Sequence, residues 1–545
     1  MKKLTTYMVA GMALFATPSC SDFLDTAPYD QLSPATTWKT EDDAQKFLVG
    51  CYDYWIEEDA IIYWDCTSDF GYNNFPWEGY NLVGNGSMAP AGNTPDYYNY
   101  GKIRSCNDFL INIENVSFAN EANKKDMIAQ VKTIRAYKYF IMNWMYGGVP
   151  IIESCNSSEE AMVPRNTEAE VNQFIEDELD EAIPMFKNDK ADTRGYIDRA
   201  TALALKMRHA LIYGKWERAK SAAKAIIDMG IYDLDPDFLH VFSLAGKDSE
   251  EIIAAAQHIN SLYSSWYLVC LANNGDGGWS SIVPTWNLVD EYEMDNGLTK
   301  EEAGEYYDPV HPFAHRDPRL AMTIAFPGCD WVTWGGDVEV FNTLDRTLPD
   351  GRKNPNHPLS ENNSSKTGLT WGKYTMPLTQ YPDYWDTDQN FILFRYAEVL
   401  LSYAEAENEL NGPSSDVYAK LNKVRNRVGM PDVDEAKYGT QDKLRELIHR
   451  ERAVELAGEG LRRPDILRWK DASGKMLAET VLNGDLVRRV GTINYDEEDP
   501  YMRAVLRTDS VGVIEKRTFA TYNRYYPIKQ TVIDLNKYIK QNPGY

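Results

Sequence analysis

The stretch RATALALKMRHALIYGKWERAKSAAKAIIDMGIYDL, residues 199–234, reads as two amphipathic helices hinged at Gly214. Ala210, Ala219 and Ala223 are small enough for close helix approach, and Trp216 stands two residues past the glycine. These are the packing positions of a tetratricopeptide-like helical hairpin. A second pair, FRYAEVLLSYAEAENELNGPSSDVYAKLNKVRNRVG over 394–429, breaks at Asn411-Gly412-Pro413. Outward from these, Ala44, Phe47, Leu48, Cys51, Tyr52 and Trp55 take helical spacing over 41–58. Further helices are expected over 124–146, stopped by Gly147-Gly148, from the N-cap Thr167 to about Ile183, and over 442–457. The fold class is therefore mainly α, with scaffold helices over about 36–60, 124–230 and 390–470.

Between the helices lie two loop-rich stretches, about 61–105 and 232–390. Long irregular loops on a rigid scaffold are where binding residues concentrate. Seven of the fourteen tryptophans (Trp266, Trp279, Trp286, Trp331, Trp334, Trp371, Trp385) fall in the second stretch. The first holds Tyr63, Trp64, Phe70, Tyr72, Trp77, Tyr80, Tyr97, Tyr98 and Tyr100 among Asp69, Asn73, Asn74, Asn81 and Asn85. Flat rings stack on the C–H faces of sugars, and neighbouring amides and carboxylates bond the hydroxyls. The plainer alternative is that most of these rings fill the core beneath loops with few aliphatic residues. Trp77 and Trp279, flanked by Pro or Gly and polar residues, fit that alternative least.

At 545 residues the chain exceeds one ordinary hydrophobic core, and a formal charge of -26 argues against a nucleic-acid footprint. Lys2-Lys3, an apolar run from Tyr7 to Ala16 and Ser19 before Cys20 have the layout of an export signal over residues 1–19. Cys20 then reads as a lipid acceptor, and residues 20–35, with two prolines, as a flexible tether. The apolar run is about half the length of a spanning helix, so membrane contact is expected through the lipid anchor only. The remaining six cysteines show no metal spacing; an even count in an exported chain permits disulfides, but buried free thiols are expected for most of them.

Enzyme motifs are absent. HRERAVE, residues 449–455, lacks the HExxH spacing for zinc, and its Glu451, Arg450 and Arg452 read as a charged helix surface, as does Glu446 just before it. Glu405 and Glu409 in AEAENEL read as exposed carboxylates one turn apart, not a glycosidase pair. GNGSMAPAG is followed by no Gly-Lys-Ser/Thr, and GGWSSIVP is not G-x-S-x-G. No metal site and no cofactor are expected.

Taken together, Cys20 with SDFLD, IRAYKYFIMNWMYGGVPII, the 199–234 hairpin, PTWNLVDEYEMDNG, RDPRLAMTI, FRYAEVLLSYAEAENEL, LNKVRNRVG, RERAVELAGEGLRRPDILRW and YYPIKQTVIDLNKYIKQNPGY occur in the order seen in one family. The chain resembles the SusD/RagB outer-membrane lipoproteins end to end. The resemblance implies four tetratricopeptide-like hairpins beside a variable loop region, with residues 36–545 as one SusD-like domain. It implies a surface-exposed, non-catalytic protein that captures a nutrient and passes it to a TonB-dependent SusC-like transporter, over which it sits as a lid. Glycans are the family's usual cargo, and peptides that of its RagB branch; a glycoside hydrolase is the remaining alternative. Two departures stand out: Pro527-Ile528-Lys529 replaces Pro-Ile-Pro, and only Asp22 and Asp25 follow the cysteine as acidic residues. The family's variable loops transfer no residue motif, so the site rests on chemistry. Trp77, Trp279, Trp331 and Trp334 are expected as stacking platforms, with Tyr80 beside them and Asp69, Asn73 and Asn74 as hydroxyl partners. Trp286, inside PTWNLVDEYE, ranks as framework.

Overall fold

Thr40 opens the first helix of the described residues with a reciprocal cap: its hydroxyl accepts from Asp43 N–H, and Asp43 accepts from Thr40 N–H. The computed structural model describes residues 38–155 and 157–545; the signal segment, Cys20 and the tether lie outside the described residues. This helix, α1 (Glu41–Tyr52), stops short of the expected 58, because Asp53 turns extended and Tyr54 takes a φ of 47°. Next, α2 (Gly101–Asn112) stands where the loop reading ended, burying Ile103, Cys106 and Phe109 at three-residue spacing. The long α3 (Glu121–Tyr146) buries almost every side chain from Met127 onward. It ends at Gly147, φ 68°, where a Cβ would meet the Tyr525 ring at 2.7 Å.

Helix α4 (Glu168–Ala182) starts at the expected cap, Thr167 with Glu170. The 199–234 hairpin forms α5 (Arg199–Ile212) and α6 (Trp216–Met229), turning at Gly214 with a φ of 66°. Short α7 (Tyr267–Leu271) lies in the central insertion, and α8 (Tyr396–Asn411) and α9 (Ser415–Asn426) make the second pair. Two more follow, α10 (Gln441–Glu455) and α11 (Arg462–Arg468). Ala210 and Ala219 of the first pair meet Ala406 of α8 with Trp216 packed against them, so small residues set the spacing between pairs. Among the described residues no helix is long and apolar enough to cross a membrane.

Most strands are short, and all pair antiparallel two by two among the described residues: β1 (Gly71–Asn73) with β3 (Ile282–Pro284), and β2 (Ile252–Ala256) with β8 (Phe391–Arg395). The others are β4 (Ile324–Ala325) with β7 (Thr370–Trp371), β5 (Asp330–Val332) with β6 (Val338–Val340), and β9 (Gly484–Ile493) with β10 (Ala504–Arg517). The β1–β3 pair fastens the first loop to the central insertion, with Asn73 opposite Ile282. The β9–β10 ribbon has no counterpart in the sequence reading.

Buried ions, not only apolar contacts, join insertion to scaffold. Arg395 reaches Glu251, Glu455 and Glu459, each at 2.7 Å. Arg319 holds Asp317 at 2.6 Å and Glu455 at 3.0 Å, and also bonds Glu451. Arg425 bridges Glu293 and Glu451, Arg427 bridges Glu251 and Glu455, and Lys373 binds Glu459. Desolvation opposes each charge, yet the surrounding guanidinium groups hold the Glu451, Glu455 and Glu459 carboxyls below their usual range. This corrects the expected charged surface of HRERAVE, since Glu451 and Arg452 are buried. Glu405 is likewise buried, held by Arg468 and by the Trp469 indole N–H at 3.0 Å. The six described cysteines are free; all but Cys155 are buried.

Candidate functional site: an open aromatic ridge

Three indoles converge where the central insertion meets the segment before β8. Trp266 caps α7, and its neighbour Ser265 exchanges both backbone hydrogen bonds with Thr387, at 2.8 and 3.1 Å. That bridge brings in Trp385. Trp279 follows the Gly277-Gly278 turn, pinned by its own N–H to Val269 carbonyl at 2.7 Å. A Cβ on Gly278 would lie 2.2 Å from the Ala272 carbonyl oxygen, so only glycine fits there. Trp279 meets Trp385 edge-on at 4.8 Å and Trp266 at 6.3 Å. Trp385 and Trp266 are 53% and 42% exposed, while Trp279 is half-buried between them.

The ridge continues through Tyr384, the neighbour of Trp385. Trp334 stacks on Tyr384 at 4.3 Å and 27°, is 42% exposed, and donates its indole N–H to Tyr381 carbonyl at 2.7 Å. It stands on the 333–337 turn between β5 and β6, closed by Thr333 N–H to Asp337 carbonyl. Trp77, on the turn Pro76–Glu78, is 69% exposed and lies with one face against Phe75 at 4.6 Å. Its neighbour Glu78 accepts from Asn73, which also donates to Ser281 carbonyl at 3.1 Å, two residues from Trp279. Burial raises the Glu78 carboxyl above its usual range, although hydrogen bonds from Asn73, Ser281 and Tyr63 oppose the shift.

Among the described residues, guanidinium groups lie over the buried rings of Trp286 and Trp469, at 5.4 and 5.2 Å, and over none of Trp77, Trp266, Trp279, Trp334 or Trp385. Trp77, Trp266, Trp334 and Trp385 are 42% to 69% exposed, so ring surface stays open to solvent. Asp386 and Asn260 supply polar groups at their margin. Such an arrangement suits flat, hydroxyl-edged, apolar-faced molecules.

Five expected site residues have other work. Asp69 is buried in a two-pronged ion pair with Arg462, at 2.8 and 2.9 Å, so it faces no ligand. Asn73 and Asn74 are buried in backbone contacts to Ser281 and Ser364, and fasten loops to one another. Tyr80 is buried, stacked on Tyr63 at 4.3 Å with its hydroxyl against Tyr97. Trp331, 4% exposed, donates to Asp276 and walls a separate cavity of about 380 Å³ with His240 and Met376. Conversely, Trp266 and Trp385 were missed, although both sit in polar settings, SSW and DYWD, like those that singled out Trp77 and Trp279.

Comparison with known proteins settles the kinship. Residues 239–545 match the model described as SusD family, and residues 22–208 match one described as starch-binding associating with outer membrane. The chain belongs to the SusD family. A SusD-like protein, P25, of Formosa agariphila is 25% identical over 512 residues, covering 86% of this chain and 90% of that one. A SusD-like carbohydrate binding protein from Bacteroides fragilis superposes with a TM-score of 0.80 at 25% identity, covering 93% of this chain and all of the other. A laminarin binding SusD-like protein shares the fold at a TM-score of 0.62 and 21% identity, covering 93% of this chain and 100% of its own. The SusD family is mainly helical, non-catalytic, and associated by description with carbohydrate binding and the outer membrane.

Proposed function

We propose that this SusD-family chain binds a neutral glycan on the Trp266–Trp279–Trp385 ridge, with Trp334 and Trp77 extending it, and delivers the chain to a SusC-like TonB-dependent transporter as its lid. The observation that carries the reading is the set of exposed indoles held from behind by ring and hydrogen-bond contacts, with no cation of the described residues over their faces. The names of the Bacteroides fragilis and laminarin-binding neighbours support the same ligand class. Lipidation at Cys20, after a signal over 1–19 and before a tether to 35, completes the proposal: it would hold residues 36–545 at the outer membrane with freedom to swing.

Affinity electrophoresis across starch, laminarin, mannan, xylan and galactan tests the ligand. Retardation by at least one polymer is expected; binding of peptides and of no glycan would replace this reading with nutrient-peptide capture. Co-purification with the transporter, lost when Cys20→Ala releases the protein from membranes, tests the lid.

A further inference from the structure

We infer that the ligand surface crosses the 259–263 turn beside the ridge and enters a second cleft, walled by Tyr54 and Tyr263, which takes the next units of the same neutral glycan. This rests on the glycan reading above and adds a requirement for chain length.

The cleft has a volume of about 460 Å³ and is lined by Tyr54, Trp55, Glu58, Gln257, His258 and Tyr263 among others. That volume falls in the range of small-ligand sites. Its wall is built with care. Tyr54 has a φ of 47°, a conformation that a residue with a Cβ adopts only when held there. The hold is the buried Lys138, which donates to Tyr54 carbonyl at 3.0 Å while paired with Glu57. The consequence is a ring 66% exposed over the cleft instead of packed beneath it. Opposite, Tyr263 lies 5.6 Å from Tyr54 and stacks on His258 at 13°. His258 is fixed in turn by Glu58 at 3.0 Å on Nε2 and by Tyr263 carbonyl at 3.2 Å on Nδ1.

Cleft and ridge share one turn. Ile259 and Tyr263 exchange backbone hydrogen bonds at 2.9 and 2.8 Å, while Asn260 and Ser261 bond Asp386, the residue after Trp385. On that turn Leu262 is 84% exposed and Ile259 58%, giving apolar footing between the two ring clusters. The charged lining is Asp53, Glu58 and one guanidinium, Arg194, which is paired with Asp248. Uronate or sulfate groups would meet carboxylates, so the chain it fits carries no negative charge.

The test uses the full chain and the neutral polymer that retards it most among starch, laminarin, mannan, xylan and galactan, with polygalacturonate as the anionic probe. Calorimetry compares that polymer with its own trisaccharide on wild type, Tyr54→Gly and Trp385→Ala. Tyr54→Gly removes the ring and relieves the left-handed backbone, so folding is retained, and a thermal melt verifies this. Two linked subsites predict that Tyr54→Gly weakens the polymer about tenfold and leaves the trisaccharide unchanged, whereas Trp385→Ala weakens both. Polymer affinity of Tyr54→Gly within twofold of wild type overturns the second cleft while leaving the ridge standing. Polygalacturonate bound as tightly as the neutral polymer overturns its charge selectivity. Retention of no polymer by wild type overturns the glycan reading itself, and the cleft with it.

Discussion

Trp331 donates its indole N–H to one oxygen of Asp276 at 2.7 Å, and the other oxygen takes the backbone N–H of Trp334 at 2.8 Å. A buried ring and an exposed ring therefore hang on one carboxylate, which Asn273 fixes at 2.7 Å. Asp276→Ala should free the turn that presents Trp334 and orphan a buried donor, a loss of about 1–3 kcal/mol in stability. Calorimetry should show polysaccharide affinity several-fold weaker; full affinity would remove Trp334 from the site.

Trp279→Ala and Trp385→Ala each remove one platform. A ring contact of this kind contributes about 1 kcal/mol, so each change should weaken binding roughly fivefold. Trp77→Ala deletes a ring that is 69% exposed, and its melting temperature should match wild type. If all three variants retained wild-type binding to the same polymer, the ridge would not be the site.

Gly278→Ala touches no ligand, yet its Cβ would press on the Ala272 carbonyl. The turn must shift, and Trp279 with it. Binding should fall as far as in Trp279→Ala, accompanied by a lower melting temperature that Trp279→Phe, measured in parallel, does not show.

Asp69→Asn separates stability from recognition. It leaves the buried Arg462 guanidinium short of its partner, a change that costs about 3–5 kcal/mol. Denaturant titration should register that loss, while the folded fraction binds glycan with wild-type affinity. A selective loss of affinity at unchanged stability would return Asp69 to the ligand site.

Acid stability has opposing contributions. Burial lowers His209 from 6.5 to about 3, so as pH falls through 6.5 the unfolded chain takes a proton that the folded chain refuses, and stability declines. Burial raises Asp65 from 3.8 to about 6, so over about pH 6 to 4 the folded chain binds its proton first and gains stability. His209→Gln should flatten the decline between pH 6.5 and 4, and Asp65→Asn should steepen it, each by about 1–3 kcal/mol. The Glu451, Glu455 and Glu459 carboxyls, held low, contribute fully above the unfolded value near 4.5 and lose that contribution below it. Urea midpoints at pH 7, 5.5 and 4 read all three effects.

The scaffold was legible because its signals are local. Gly214, Gly147, Thr167 and the Asn411-Gly412-Pro413 break each act within a few residues, through a turn or a cap. Helix α2 escaped notice because it sits at the edge of a loop rich in Gly and Asn. The long β9–β10 ribbon did so because its strands keep no strict apolar–polar alternation, with Arg488 and Arg489 adjacent in one and Thr508, Asp509 and Ser510 in a row in the other.

The site was legible in composition but not in assignment. Tyr80 and Trp77 stand three residues apart in one loop, yet the first is buried against Tyr63 and the second lies in the open. Trp331 and Trp334 part in the same way. What decides is a partner far along the chain, Tyr97 or Asp276 or Tyr384, and periodicity carries no record of such contacts. Charge misled for the same reason: Glu405 and Glu451 look like solvated helix residues until the arginines that enclose them are found.

Ion pairs have stoichiometry and direction, which contacts between hydrocarbons lack. Glu251, Glu293, Arg319 and Lys373 of the insertion, with Arg395 at its end, engage Arg425, Arg427, Glu451, Glu455 and Glu459 on the helices and at their ends like the teeth of a key. The stretches that carry the proposed recognition surface, 54–58, 75–78, 259–266, 277–279, 333–337 and 378–386, hold none of those teeth. Chimeras that exchange these stretches alone would seat at the same angle on the same helices, so a lineage could change its diet by swapping upholstery while the lock stays untouched.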